Sequence, residues 1–178
     1  MSPRKWTTNA VRSGPSVDAM TTTLDTRSPV HPPRLSLTDH APDVYRAMAA
    51  LSAVAGAGLE VPLVALVKLR ASQINHCAFC LDMHSRDALG AGESTSRIVQ
   101  LPAWRESRHF YSERELAALA LTEAVTVLTD GFVPDEVWAV AAAAFDETEL
   151  AQLIAAITVI NAWNRLAVTT RTVPAGSP

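Results

Sequence analysis

The chain has 178 residues, enough for one domain or one domain with a tail. Apolar residues make up 48% and charged residues 19%, which excludes a disordered chain, and a net charge of −3 excludes a domain built on nucleic-acid electrostatics. No apolar run approaches the roughly 20 residues of a membrane span, and the two cysteines, three positions apart, form a local device rather than a disulfide framework.

Residues 1–34 hold Arg4, Lys5, Arg12, Arg27 and Arg34 among Ser, Thr and Pro, without periodicity. They read as a mobile tail that lacks the apolar stretch of a secretory signal. Met20, ahead of a Thr-rich run, is a candidate translation start. Residues 35–170 read as one helical domain and 171–178 as a C-terminal tail. Ala41 to Ala55 carries Val44, Met48, Leu51 and Val54 at helical spacing, with Pro42 in the first turn and Gly56 and Gly58 as stops. Val61 to Ile74 follows, then Cys77 to Leu89, stopped by Gly90 and Gly92. Ser94 to Leu101 predicts a short helix. Ser112 with Glu115 makes a capping-box pattern that opens a run to Leu128, and Pro134-Asp135-Glu136 opens the next helix. Asp146 with Glu149 starts the last, which runs to about Val168 on a wide face of Leu150, Leu153, Ile157, Ile160 and Trp163. That face predicts a core helix, with Asn161, Asn164 and Arg165 turned to solvent; the alternative points them into a polar site. Trp104, Trp138 and Trp163 are expected in the core or at an interface, with Trp104 a candidate neighbour of the site. No stretch alternates with period two. The expectation is an all-α fold of six or seven helices.

The chemistry is concentrated in Asn75-His-Cys77-Ala-Phe-Cys80-Leu-Asp-Met-His84. On a helix, Cys77, Cys80 and His84 fall within about 60° of arc. A thiol pair three apart at a helix start can close a disulfide with little backbone movement, and the helix dipole favours thiolate there. His84, one turn on, can accept or relay a proton. Asn75 is a candidate N-cap for that helix. Structural zinc would need a fourth ligand from His76, His109 or Asp82, since three donors on one helical face do not close a tetrahedron. A thioredoxin-type site needs strands, and none is predicted.

The stretch Leu66-Val-Lys-Leu-Arg-Ala-Ser-Gln-Ile-Asn-His-Cys-Ala-Phe-Cys-Leu-Asp-Met-His84, with Asp87 and Ala88 after it, resembles the alkylhydroperoxidase AhpD-like family of the carboxymuconolactone decarboxylase superfamily. Leu101-Pro-Ala-Trp-Arg-Glu-Ser107 and Ile160-Asn-Ala-Trp-Asn-Arg-Leu166 are similar to further stretches of one branch, so the resemblance covers roughly residues 35–170. It implies an AhpD-like helical domain that assembles as a trimer or hexamer. It implies a thiol-dependent alkyl hydroperoxide reductase in antioxidant defence, with no metal or organic cofactor. Cys80 would be the peroxidatic cysteine, Cys77 the resolving cysteine and His84 the histidine of the proton relay. An external dithiol, such as a lipoyl domain, would reduce the redox-active disulfide.

The resemblance also brings a departure. The family's relay glutamate lies twelve residues before the first cysteine, where this chain has Ala65. Glu60 is about 140° away round the helix and is a poor substitute. His76 is a candidate source of positive potential beside Cys77, and Asp82 and Asn161 are further supporting candidates. The missing base keeps a second function open, a dithiol–disulfide oxidoreductase or redox sensor with weak peroxidase activity. A non-thiol lactone decarboxylase is a third, and the cysteine pair argues against it. A cycling dithiol needs a reducing supply, which points to the cytoplasm. Nucleic-acid and membrane partners are not expected.

Overall fold

The structure is a computed structural model that describes residues 32–175. Expectations for the N-terminal segment, including a start at Met20, fall outside these residues. The described residues form eight α-helices and no strand. In chain order these are α1 Leu37–His40, α2 Pro42–Val54, α3 Val61–Ile74, α4 Ala78–Gly90, α5 Thr95–Gln100, α6 Glu113–Thr126, α7 Asp135–Ala144 and α8 Glu147–Thr170. Two 3-10 turns, Leu101–Ala103 and Arg108–Phe110, join α5 to α6.

The all-α expectation holds, and seven helices match the predicted ones to within a few residues. Both predicted capping boxes form. The Glu115 amide donates to Ser112 Oγ (3.2 Å) while Glu115 Oε2 accepts from the Ser112 amide (2.8 Å). Asp146 and Glu149 make the same pair at 2.8 and 3.0 Å. Four helix-terminal donors are thereby satisfied. The unpredicted α1 is a single turn, too short for a periodic signal, capped by Ser36 Oγ on the Asp39 amide. Arg34, placed in the tail on composition, is bound to the end of α8, its amide donating to Thr170 O at 2.8 Å.

α3 is the central element. Leu63, Leu66, Val67, Leu69, Ala71 and Ser72 are buried, which wraps its burial nearly all the way round. It packs on α4, α6 and α8. On one side Leu63 and Val67 meet Leu121, Leu153 and Ile157; on the other Leu66 and Leu69 meet Leu101, Trp104 and Leu119. α8 is a core helix, as its wide apolar face predicts. Its 24 residues are also long and apolar enough to cross a bilayer by length and composition alone, contrary to the expectation that no run comes close. Its buried side is used against α2, α3, α4 and α6.

The turn after α2 aims that helix. Gly56 ends α2 at φ +84°, and a Cβ there would stand 3.3 Å from Val64 Cγ2, so glycine serves both the conformation and the close approach. The predicted apolar stripe of α2 does not enter the core: Val44, Leu51 and Val54 are exposed. Tyr45, Ala49 and Ser52, on the adjoining face, look into a cavity shared with α4 and α8. α2 therefore meets the bundle along this adjoining face, with Tyr45 against Trp163 of α8.

Candidate functional site

The turn between α3 and α4 builds the site. Asn75 is the C-cap of α3 and His76 follows in the left-handed region, φ +52°. The His76 amide donates to Gln73 O (3.2 Å) and the Cys77 amide to Ser72 O (3.0 Å), the two bonds of a Schellman motif. This closure delivers Cys77 as the N-cap of α4. Asn75, expected as that N-cap, instead closes α3 because the chain reverses at His76. Its amide faces Ala71 O (3.0 Å), Asn161 Oδ1 (2.8 Å) and Asn164 Oδ1 (3.0 Å).

Cys77 and Cys80 are 1% and 2% exposed, with sulfurs 2.6 Å apart and unbonded. A bond of about 2.05 Å needs only a small rotation. Cys77 Sγ accepts from the Cys80 amide at 3.4 Å, the N-cap interaction. The Cys77 thiol is drawn down to about 7, first by the hydrogen bond it shares with the Cys80 side chain, then by the Cys80 amide and Asn164, against the opposing effect of burial. Cys80 is pushed up by the hydrogen bond it shares with Cys77 and by burial. The short contact between the two sulfurs eases loss of one proton from the pair.

Access differs between the two sulfurs. A cavity of about 670 Å³ between α1, α2, α4 and α8 has Cys80 in its wall, and Cys77 is not part of its lining. Tyr45, Phe79, Met83, Ile160 and Trp163 make its surface largely apolar. Tyr45 and Trp163 meet edge to face at 5.4 Å. His84 and Lys68 supply polar atoms at the same cavity. His84 is lowered to about 4, by burial first and by the nearby Lys68 charge second. At neutral pH it is an uncharged imidazole that can accept a proton. Its Nδ1 lies 3.7 Å from Asp87 Oδ2.

Ala65 borders a second cavity of about 260 Å³, shared with Lys68, His84, Asp87 and Ala88. No carboxylate from α3 reaches it. Glu60 pairs with Arg114 at 3.2 Å instead, which agrees with its reading as a poor substitute.

The structure brings Cys77, Cys80 and His84 together and leaves two supporting candidates outside. His76 is exposed and borders neither cavity. Asp82 accepts from Arg86 at 2.8 Å along the outer side of α4. Asn161 is buried behind the thiols, donating to Thr126 Oγ1 (3.0 Å) and Ile157 O (2.9 Å) and accepting from Asn75. Asn164 is fully buried and donates to Ser72 Oγ at 3.0 Å. The solvent-facing expectation thus holds for Arg165 alone. The two asparagines turn inward because the polar end of α3 needs partners there. Trp104 lies away from the thiols, donating to Glu123 Oε1 at 2.7 Å within the core. Trp138 is half exposed. Sequence reasoning passed over Lys68 and Asp87 as a cationic and an anionic neighbour of His84. Asp87, three after His84 on α4, carries an i,i+3 signal that was readable, whereas Lys68 on α3 carries none until α3 and α4 are placed side by side. Among the described residues no group of three His, Cys, Asp or Glu side chains converges as a metal site.

Residues 42–124 match the model of the carboxymuconolactone decarboxylase family. An uncharacterized protein of Bacillus subtilis (strain 168), YdfG, is 45% identical over 103 residues, 58% of this chain and 69% of that protein. Among solved structures, a protein of unknown function from Agrobacterium tumefaciens, ATU0492, described as a candidate antioxidant defence protein AhpD, is 37% identical. It superposes with a TM-score of 0.79 over 82% of this chain and 100% of its own.

Proposed function

Because the chain belongs to the carboxymuconolactone decarboxylase family, we propose that it is a thiol-dependent reductase of organic hydroperoxides that serves antioxidant defence. The observation that carries this is the placement of Cys80: one sulfur of a buried dithiol, in the wall of an apolar cavity beside a neutral imidazole. The description of the Agrobacterium protein as a candidate antioxidant defence protein supports the same direction.

The Cys80 proton passes to Cys77 or, through His84, to solvent, and the Cys80 thiolate attacks the terminal peroxide oxygen. The O–O bond breaks, Cys80 becomes a sulfenic acid and the organic part leaves as an alcohol after protonation. Cys77 then attacks the Cys80 sulfur, water leaves, and the Cys77–Cys80 disulfide forms. An external dithiol, of which a lipoyl domain is the expected form, returns the pair to thiols by exchange. The exposed stripe on α2 is the surface by which copies of the chain would associate, in a trimer or hexamer.

One observation favours a second reading. With Ala65 where the resemblance expects a glutamate and His84 held near 4, the base beside Cys80 is weak. A dithiol–disulfide exchanger needs a thiolate and no peroxide relay. Reduced protein given tert-butyl hydroperoxide under anaerobic conditions, with dihydrolipoamide as reductant, separates the two. Peroxide consumption abolished by Cys80→Ser is the expected result. Disulfide cycling without peroxide consumption would establish the exchanger instead.

A further inference from the structure

Lys68 is a charged group at the centre of the site to which the chemistry above gives no task. It lies one turn after Ala65 on α3 and borders both cavities, in each case together with His84. Its ammonium makes no salt bridge among the described residues; Asp87, on α4, is the acid whose field it feels. Its main-chain carbonyl accepts from Ser72 Oγ at 2.7 Å, which fixes the α3 backbone behind it.

Resting on the peroxidase reading, we propose that Lys68 is the general acid of the reduction step, protonating the alkoxide expelled when Cys80 cleaves the peroxide O–O bond. An alkoxide is about as basic as hydroxide and takes up a proton readily at neutral pH. Released against a largely apolar wall it is poorly solvated, so a proton or a cation at that wall stabilises its charge. Cys77 lies outside the cavity lining, and His84 is neutral and suited to accept a proton. Lys68 is the cationic side chain that borders the cavity with Cys80. Burial lowers its pKa, which eases release of the proton.

The step balances. The Cys80 thiolate gives an electron pair to the terminal oxygen and is oxidised to sulfenic acid. The O–O pair leaves on the organic oxygen, which takes its proton from Lys68 and departs as an alcohol. The neutral amine regains its proton from solvent, replacing the one lost when the dithiol ionised. Condensation of the Cys77 thiol with the sulfenic acid then releases water.

The test varies the leaving group. A peroxycarboxylic acid expels a carboxylate, with a pKa near 4, which needs no proton. An alkyl hydroperoxide expels an alkoxide, which does. Single-turnover oxidation of reduced full-length protein is followed by disulfide formation, with tert-butyl hydroperoxide and with peracetic acid. Lys68→Met is expected to slow the alkyl hydroperoxide reaction by about a hundredfold or more, the scale of general acid catalysis, and the peracetic acid reaction by no more than about threefold. The retained peracid rate serves as the folding control, and Lys68→Gln is the second variant should Met fail to fold. Equal slowing with both oxidants, or no slowing with either, overturns the proposal. Wild-type protein that shows no Cys80-dependent oxidation by tert-butyl hydroperoxide would remove the peroxidase reading itself.

Discussion

His76 occupies a position where the backbone asks for glycine. It is the C′ residue of α3, at φ +52°, and both hydrogen bonds of the Schellman motif depend on that conformation. For an L-residue the left-handed region costs about 1–2 kcal/mol, with polar side chains at the low end. Replacing His76 by Gly removes that cost but gives the unfolded chain about 0.5–1 kcal/mol of extra conformational entropy to lose. His76 is exposed and no hydrogen bond from its side chain holds it to the fold, so nothing else is lost. The net expectation for His76→Gly is a gain of up to about 0.5 kcal/mol, or roughly 1–2 °C in Tm. Urea unfolding read at two wavelengths, with thermal melts beside it, measures this. The same variant tests His76 as a supporting residue, because the side chain borders neither cavity and peroxide turnover should be unchanged. Lower stability would refute the strain argument. A fall in turnover at unchanged stability would put His76 back into the site.

His84 is held at about 4 against an ordinary 6.5, so the unfolded chain binds its proton first and stability falls on acidification between those values. From about pH 7 to about pH 4.5 this loss is about 2 kcal/mol by urea unfolding, and it should be absent in His84→Gln. Thiolate absorbance should appear with a midpoint near pH 7, and Cys80→Ala, which deletes the sulfur–sulfur hydrogen bond, should move that midpoint up. Ala65→Glu places a carboxylate in the cavity beside His84 and Lys68, draws the imidazole pKa upward, and should raise peroxide turnover at neutral pH by at least about tenfold; an unchanged pH–rate profile would sink the relay argument. Glu123 accepts from Arg70 Nε (2.8 Å), Trp104 Nε1 (2.7 Å) and Arg105 Nη1 (2.7 Å), so Glu123→Gln should cost about 2 kcal/mol and alter Trp104 fluorescence without touching the thiols.

What was legible in the sequence was local. Capping boxes at Ser112 and Asp146, Pro42 in a first turn and the heptad-like run of α8 each depend on residues within one turn, so they could be read without knowing the fold. The cysteine spacing was legible for the same reason. What failed depended on neighbours distant in sequence. The α2 stripe looks like a core face by period alone, yet α2 meets the bundle through Tyr45 and Ala49, because Gly56 sets its exit angle. Asn161 and Asn164 look like surface residues, since polarity predicts exposure. They are buried because the α3 C-terminus, some 86 residues away from Asn161, presents Asn75 and Ser72 to them. Lys68 was invisible as a site residue because a lysine on a helix is ordinarily solvated, and only α4 packing across α3 desolvates it.

The arrangement gives the two sulfurs different access. Cys77 is enclosed by the turn that made it an N-cap, whereas Cys80 meets the cavity. With 2.6 Å between the sulfurs, loss of one proton leaves a charge that either can carry once the remaining proton crosses that gap. On the peroxidase reading, reduction requires the charge on Cys80, because that sulfur borders the cavity where a hydroperoxide would lie. A neutral His84 at the cavity wall is placed to draw the Cys80 proton away, and a glutamate at position 65 would help it. The rate of peroxide reduction should therefore follow whatever tunes His84 and Lys68, whereas the rate of disulfide exchange should follow the ionisation of the pair.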